Sequence, residues 1–600
     1  MNMTFWKTFW ASFLASVVSG IVVVVIFFVI LGAMISGFGD MFESKKIKVE
    51  DNTVLHMTLN GMLGDYTYAN FDPASFQMVK QFGLNDILQG LEIAKNDDKI
   101  KGIFLDCYGV NAGMATIKEV RDALVDFRSS GKFIVAYNEN YSKSGYYLAS
   151  AADEVYTFPS GMIEFLGLGA ELMFLKGTLE KLDVEMQVIR GSNNKFKSAV
   201  EPLLYEQMSE ANREQTMKYL NALWSEMTKA VSKSRGISED KLNQMADSVW
   251  VRDGDDAVNY GLVDAAVYYD SVYARLETLS ETEEGEEVQL LSFQKYALKK
   301  SKEERKLNLL EKKNIAVVFA EGEIVDGNGA PNQIGGESLS AELRKIRKDE
   351  DIKAVVLRVN SPGGSALASD VIWREVDLIS KAGKPVIVSM GDYAASGGYY
   401  ISCAADRIFA QPNTLTGSIG VFGIIPYTGD MFKNKLGITF DRVQTNEHSV
   451  MSLNKKLTEE EYKIIQEGVD DIYDDFLSRV AGGRGMTKAD VDSIGQGRVW
   501  AGADALKIGL VDELGGLNDA IAYAAESAGI SEDSIQITYL PKPKNEELFE
   551  LLDAIEENDL QATMPKSEIE SQLLEIYGFA RTIGERNTYQ ARLPYMLWVR

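Results

Sequence analysis

Four segments of this chain recur, in the same order, about two fifths of its length further on. "DDKIKGIFLD" (97–106) returns as "DEDIKAVVLR" (349–358), and "GKFIVAY" (131–137) as "GKPVIVSM" (383–390). "SGYYLASAADEVY" (144–156) returns as "GGYYISCAADRIF" (397–409), and "YGLVDAA" (260–266) as "IGLVDEL" (508–514). The offsets are 252, 252, 253 and 248 residues. Such a chain is expected to fold as two copies of one unit. "NTVLHMTLNG" and "NIAVVFAEGE" open the copies. Within each, short β-rich runs alternate with helical patterns such as "ASDVIWREVDLISKAGK". That grammar predicts βαβ units and a largely parallel sheet, hence an α/β fold.

The expected boundaries are 50–275 for the first copy and 313–540 for the second. A charged linker helix is expected over 276–312, around "KKSKEERKLNLLEKKN", and an acidic helical tail over 541–600. Thr8 to Gly39 carries no charged residue, and its centre is "GIVVVVIFFVILGAMI". A membrane-spanning helix needs about 20 apolar residues, more than a signal-peptide core of about 7–15. A single uncleaved transmembrane anchor is therefore expected over 9–38, behind a short segment 1–8, with Phe5, Trp6, Phe9 and Trp10 as an interfacial aromatic belt. The remaining charge is acidic, 62 basic against 88 acidic side chains, net −26. This argues against nucleic acid as a partner. Cys107 and Cys403 lie in apolar contexts and read as buried core thiols. No metal or nucleotide motif occurs, neither HExxH nor GxxxxGK[ST].

One stretch looks built for chemistry. "VIVSMGDYAASGGYYISCAAD" reads as strand, turn, helix, with Ser396 at the turn. Free N–H groups at the following helix start, from Gly397 on, would stabilise an oxyanion, although a serine there could equally serve only as an N-cap. A second glycine-rich turn, "LRVNSPGGSA" (357–366), ends the first strand of the same copy. Gly363 or Gly364 could supply the second converging donor that acyl transfer requires.

A nucleophilic serine needs a base. The chain has two histidines, His56 in an alternating strand and His448 in a polar loop without an oriented carboxylate. A lysine can serve instead if burial lowers its pKa by several units. The copies differ where this matters. At the offset of 253, Lys143 stands where the second copy has Ser396, and Val450 stands opposite Lys197 of "NKFKSAVEPLLYE". One copy keeps a serine and the other a lysine, which suggests one composite site. Lys143 and Lys195 are the competing lysines.

"VNSPGGSA", "GDYAASGGYYIS", "TLTGSIGVFG" and "KFKSAVEP" together resemble the signal peptide peptidase A (protease IV) family in its long tandem form. The resemblance implies two Clp-protease/crotonase-like domains and a serine-type endopeptidase with a Ser–Lys dyad. It implies Ser396 as nucleophile, Lys197 as general base and acid, and Ser418 of "TGSIG" as the residue that orients the lysine. Gly397 with Gly363 or Gly364 would hold the oxyanion. It further implies a homotetramer in the inner membrane, single-pass, with its body outside the cytoplasm. The substrates would be cleaved signal peptides and other apolar peptides, and no cofactor would be required. Two other functions fit parts of the pattern: a crotonase-type acyl-CoA hydrolase or isomerase, which needs oxyanion loops but no serine–lysine pair, and a non-catalytic membrane scaffold.

Overall fold

Runs such as Ile103–Phe104–Leu105 and Val355–Val356–Leu357 are buried on both faces of their strands, so they read as continuous apolar stretches without alternation. In the computed structural model they form the central strands of two sheets. The structure describes residues 49–541 apart from 67, 73–76, 284, 308–312 and 331. The apolar segment 9–38 and the tail beyond 541 lie outside the described residues. Among the described residues no helix is long and apolar enough to cross a membrane.

The first sheet has six strands in the order Ala265–Ala266, Glu154–Thr157, Phe133–Asn138, Ile100–Asn111, Thr53–Met62, Leu290–Ser292. Every neighbouring pair in it is parallel. The second sheet has eight strands. Its main path runs Val499–Ala501, Leu415–Gly417, Val386–Ala395, Ala354–Ser361, Ile315–Glu321, Ile537–Leu540. Arg407–Ala410 also pairs with Val386–Ala395, and Glu513–Leu514 pairs with Arg407–Ala410. Only Leu415–Gly417 with Val499–Ala501 is antiparallel in this sheet.

The repeat holds at the level of strand register. Ile103 pairs with Ile134 in the first sheet, and Val355 with Val386 in the second, both 252 residues on. Tyr141 bridges Ile163, and Ala394 pairs with Thr416, both 253 residues on. The segment expected as a linker contributes Leu290–Ser292 to the first sheet, where Ile537–Leu540 stands in the second, followed by the helix Phe293–Leu307.

The two halves share a core. On the strand Ile315–Glu321, Ala316 and Val318 face the second half's own helices, where Leu343 and Ile372 pack. Ile315, Val317 and Phe319 face the other way, into a cluster continuous with the first half. Tyr66 of the first half stacks on Phe319 at 4.6 Å between ring centroids. Glu185–Arg190 and Phe422–Tyr427, one from each half, form an antiparallel ribbon. Arg358, fully buried, reaches Asp65 at 2.8 Å and Glu119 at 2.7 Å across the junction. Charges this deep are tolerated only when paired and hydrogen-bonded.

Candidate active site

The strand Val386–Ala395 is buried almost throughout and ends at Ser396, whose backbone has φ 54° and ψ −117°. A side chain in this region costs about 1–3 kcal/mol and persists only where its surroundings enforce it. Here they do so through the Ser396 N–H, which donates to the Gly417 carbonyl at 2.9 Å. Ser396 occupies the N-cap position of the helix Gly397–Ser402, but its side chain makes no capping bond. Its Oγ instead lies 3.1 Å from Lys197 Nζ.

Lys197 comes from the other half. It is 4% exposed, and its Nζ is also 3.0 Å from both Ser418 Oγ and the Ser418 carbonyl oxygen. Burial alone lowers its pKa from 10.5 to about 7, because an ammonium there loses its water and gains no carboxylate. The Phe422 ring lies 5.9 Å from the amine. The loop carrying Lys197 is clamped between the halves. Its Phe196 N–H donates to Gln496 O at 2.9 Å, and Asn194 Nδ2 donates to Val421 O at 3.1 Å. Gln215 Nε2 donates to both Phe196 O and Ser198 Oγ. The Glu-Pro of "KSAVEP" is structural: buried Glu201 accepts from Ser209 and Asn212 and so ties the loop to the helix Glu210–Arg235.

The glycines close the other side. Gly363 and Gly364 have φ +101° and +152°, and a Cβ on Gly363 would come within 2.7 Å of Gly397 N and 2.8 Å of Ser396 Cβ. The Gly363 N–H donates to Ser361 Oγ at 3.2 Å. The N–H groups of Gly364 and Gly397 have no acceptor among the described residues. The site opens on a cavity of about 750 Å³, whose walls include Met114, Leu168, Tyr219, Leu223 and Leu415.

Of the expected site residues, Ser396, Lys197, Ser418, Gly397, Gly363 and Gly364 all converge. The competing bases do not. His448 faces Glu461 at 3.7 Å, and His56 stacks on Phe104 beside Asp106. Lys195 is exposed and lies over Phe196. Lys143 pairs with Glu164 at 2.9 Å. Cys107 and Cys403 are both buried and unpaired, and burial pushes each thiol up to about 12.

Sequence reasoning missed Gln215, Gly497 and Asp392. A Cβ on Gly497, at φ +77°, would come within 2.6 Å of Lys197 N, so this glycine lets the lysine loop seat. "GQG" at 495–497 carries that signal only weakly. Asp392, on the serine strand, accepts from the Gly113 and Thr116 N–H groups and from Thr116 Oγ1 in the other half. No local pattern announces so distant a partner.

The model of peptidase family S49 matches residues 126–283 and 379–531, one segment in each half. Protease 4 of Salmonella typhi is 38% identical over 76% of this chain and 74% of its own length. The chloroplastic serine protease SPPA of Arabidopsis thaliana is 32% identical over 80% of this chain and 70% of its own. A putative signal peptide peptidase SppA of Enterococcus faecium is 40% identical over 32% of this chain and 55% of its own. With these matches spanning both halves, the chain belongs to peptidase family S49 and is a serine-type peptidase.

Proposed function

We propose that this protein is a membrane-anchored endopeptidase that runs on a Ser396–Lys197 dyad and degrades cleaved signal peptides and other apolar peptides. The observation that carries the reading is a buried amine, with its pKa lowered to about 7, 3.1 Å from a serine hydroxyl held in a strained turn. Neutral Lys197 takes the Ser396 proton as Oγ attacks the scissile carbonyl. The oxyanion is received by the N–H groups of Gly397 and Gly364. The new ammonium, held by Ser418 Oγ and O, protonates the leaving amine. Water then hydrolyses the acyl-enzyme by the same steps in reverse.

The apolar walls of the cavity favour the apolar cores of signal peptides as substrates. The sequence segment 9–38 would hold the enzyme in the inner membrane, with its body on the far side from the cytoplasm. Both halves follow a Clp-protease/crotonase-like plan, and four chains are proposed to assemble. Support for assembly comes from the repeat. Ala115 and Glu119 are buried at the junction of the halves, while their counterparts Leu367 and Val371 are 69% and 40% exposed. A further copy would cover them as the second half covers the first.

A serine-directed fluorophosphonate should label the wild-type protein and leave Ser396→Ala unlabelled. Equal labelling of both would overturn the dyad. Light scattering in detergent should give the mass of four chains, and a monomeric mass would overturn the assembly.

A further inference from the structure

The first half keeps the frame of an active site and has changed its contents. Lys143 stands at the position of Ser396, and Glu164 at the position of Gly417. The bridge Tyr141–Ile163 reproduces the pairing Ala394–Thr416 that frames the second half's site. The turn itself is tied up differently: Val110 N–H donates to Ser144 Oγ at 3.0 Å, and Gly145 N–H to Ser142 Oγ at 3.2 Å. What remains open is the ion pair. Lys143 and Glu164 line the same cavity as Lys197 and Ser418.

The pair is unevenly satisfied. The Lys143 side chain is 15% exposed and Glu164 is 44% exposed. The ammonium has three donors, and among the described residues its one hydrogen-bonded acceptor is Glu164 Oε1. The carboxylate, by contrast, is open to solvent. The cation, the less exposed of the two and with one protein acceptor for three donors, therefore has room for a second acceptor. We propose that Lys143 is a specificity-determining residue that binds a carboxylate of the peptide substrate in the shared cavity. The carboxylate would come from the chain's free C-terminus or from an acidic side chain. A signal peptide released by cleavage necessarily ends in a new free carboxylate, so this residue would distinguish such remnants from internal segments of intact proteins. This inference rests on the peptidase reading above.

The test is the hydrolysis of one apolar peptide sequence in three forms: free acid, C-terminal amide, and amide with a single Glu near the end. The wild-type enzyme should favour the free acid over the amide on the order of tenfold in kcat/KM, the usual scale of one charge-assisted hydrogen bond. In Lys143→Met the ratio should fall to about one. In Glu164→Gln it should rise, because a competing carboxylate has gone; a merely structural pair would not give opposite signs. Recovery of the rate by the internal Glu assigns the source to a side chain, and absence of recovery assigns it to the C-terminus. A wild-type ratio of one, or a ratio untouched by Lys143→Met, overturns the proposal. Hydrolysis that persists in Ser396→Ala would overturn the dyad instead, so the two failures are separable.

Discussion

In the second half, the strand Val386–Ala395 runs into Ser396, whose backbone is strained and whose hydroxyl meets a lysine. In the first half, the equivalent strand, Phe133–Asn138, leads to Lys143, whose ammonium meets Glu164. The register is common to both. The same contrast recurs deeper in the sheets. Arg358 is wholly buried against Asp65 and Glu119, whereas its counterpart Asp106 is 33% exposed beside His56. On the proposed dyad, each half keeps one reagent and lacks the other. The price is that neither half holds a complete site, and the junction between them must be rigid to within a hydrogen bond.

The largest effect tests that division directly. Ser396→Ala and Lys197→Ala should each lower peptidase kcat/KM by about 10³-fold or more, and the double variant should be no worse than either single one. Additive losses would mean the two residues act apart. Restoring a serine in the first half should rescue nothing: Ser396→Ala with Lys143→Ser has no lysine to use, because Val450 stands opposite Lys197. Its turn is also rebuilt, with Ser142 and Ser144 accepting from the Gly145 and Val110 N–H groups.

Next comes the junction. Arg358→Leu leaves Asp65 and Glu119 buried without their cation, and should destabilise the fold by about 3–5 kcal/mol. Asp106→Leu, at the equivalent half-exposed place, should cost under about 1 kcal/mol. Urea unfolding of the two variants measures the contrast. Equal losses would show that burial at the junction is not what sets Arg358 apart.

The sequence announced the parts of this architecture that repeat. Four matched segments at a near-constant offset were enough to predict parallel sheets, since a buried strand leaves its apolar run in the sequence whatever packs on it. Ser396 and Lys197 were legible for a different reason: each is what its copy lacks at the other's place. Arg358, Asp392 and Gln215 were not legible. Arg358 reads as a charge in an apolar strand, and only the fold brings it to Asp65 and Glu119, nearly 300 and over 200 positions away. The backbone strain at Ser396 was equally hidden, because a serine at a helix start is usually a cap; the structure shows that this one does not cap.

A smaller effect, and a sharper one, concerns the cost of the lysine. Lys197 has a folded pKa of about 7 against 10.5 in the unfolded chain. The unfolded state therefore holds more protons between those values, and this residue makes stability rise with pH from about 7 to 10.5. Below that window its destabilising effect is fully expressed, on the order of 5 kcal/mol at most. Lys197→Met should be inactive yet more stable than wild type at neutral pH by ~2 kcal/mol, because the methionine also loses the bonds to Ser418. That gain should shrink as pH rises above 7 and reverse before pH 10.5, where only the lost bonds remain. In the active enzyme kcat/KM should climb about tenfold per pH unit below 7 and level off above 8, as the neutral amine becomes the main form. A stability gain in Lys197→Met that is flat with pH would remove burial of the amine as the cause.

The smallest effect isolates one hydroxyl. Ser418 has Phe165 at its place in the first half, buried to 2% exposure, so the second half carries a polar atom where the repeat tolerates a ring. Ser418 also has φ +49°, a second left-handed residue beside the site. Its Oγ and carbonyl both lie 3.0 Å from Lys197 Nζ. Ser418→Ala keeps the carbonyl contact and removes the hydroxyl, so the amine loses one of two anchors and gains freedom to turn from Ser396. A loss of about tenfold in kcat with little change in KM is expected, the worth of one hydrogen bond spent on orientation. Ser418→Thr, which retains the oxygen, should recover part of it. A rise in KM instead, with kcat intact, would move Ser418 from holding the lysine to binding the peptide, and would leave the carbonyl as the sole orienting group.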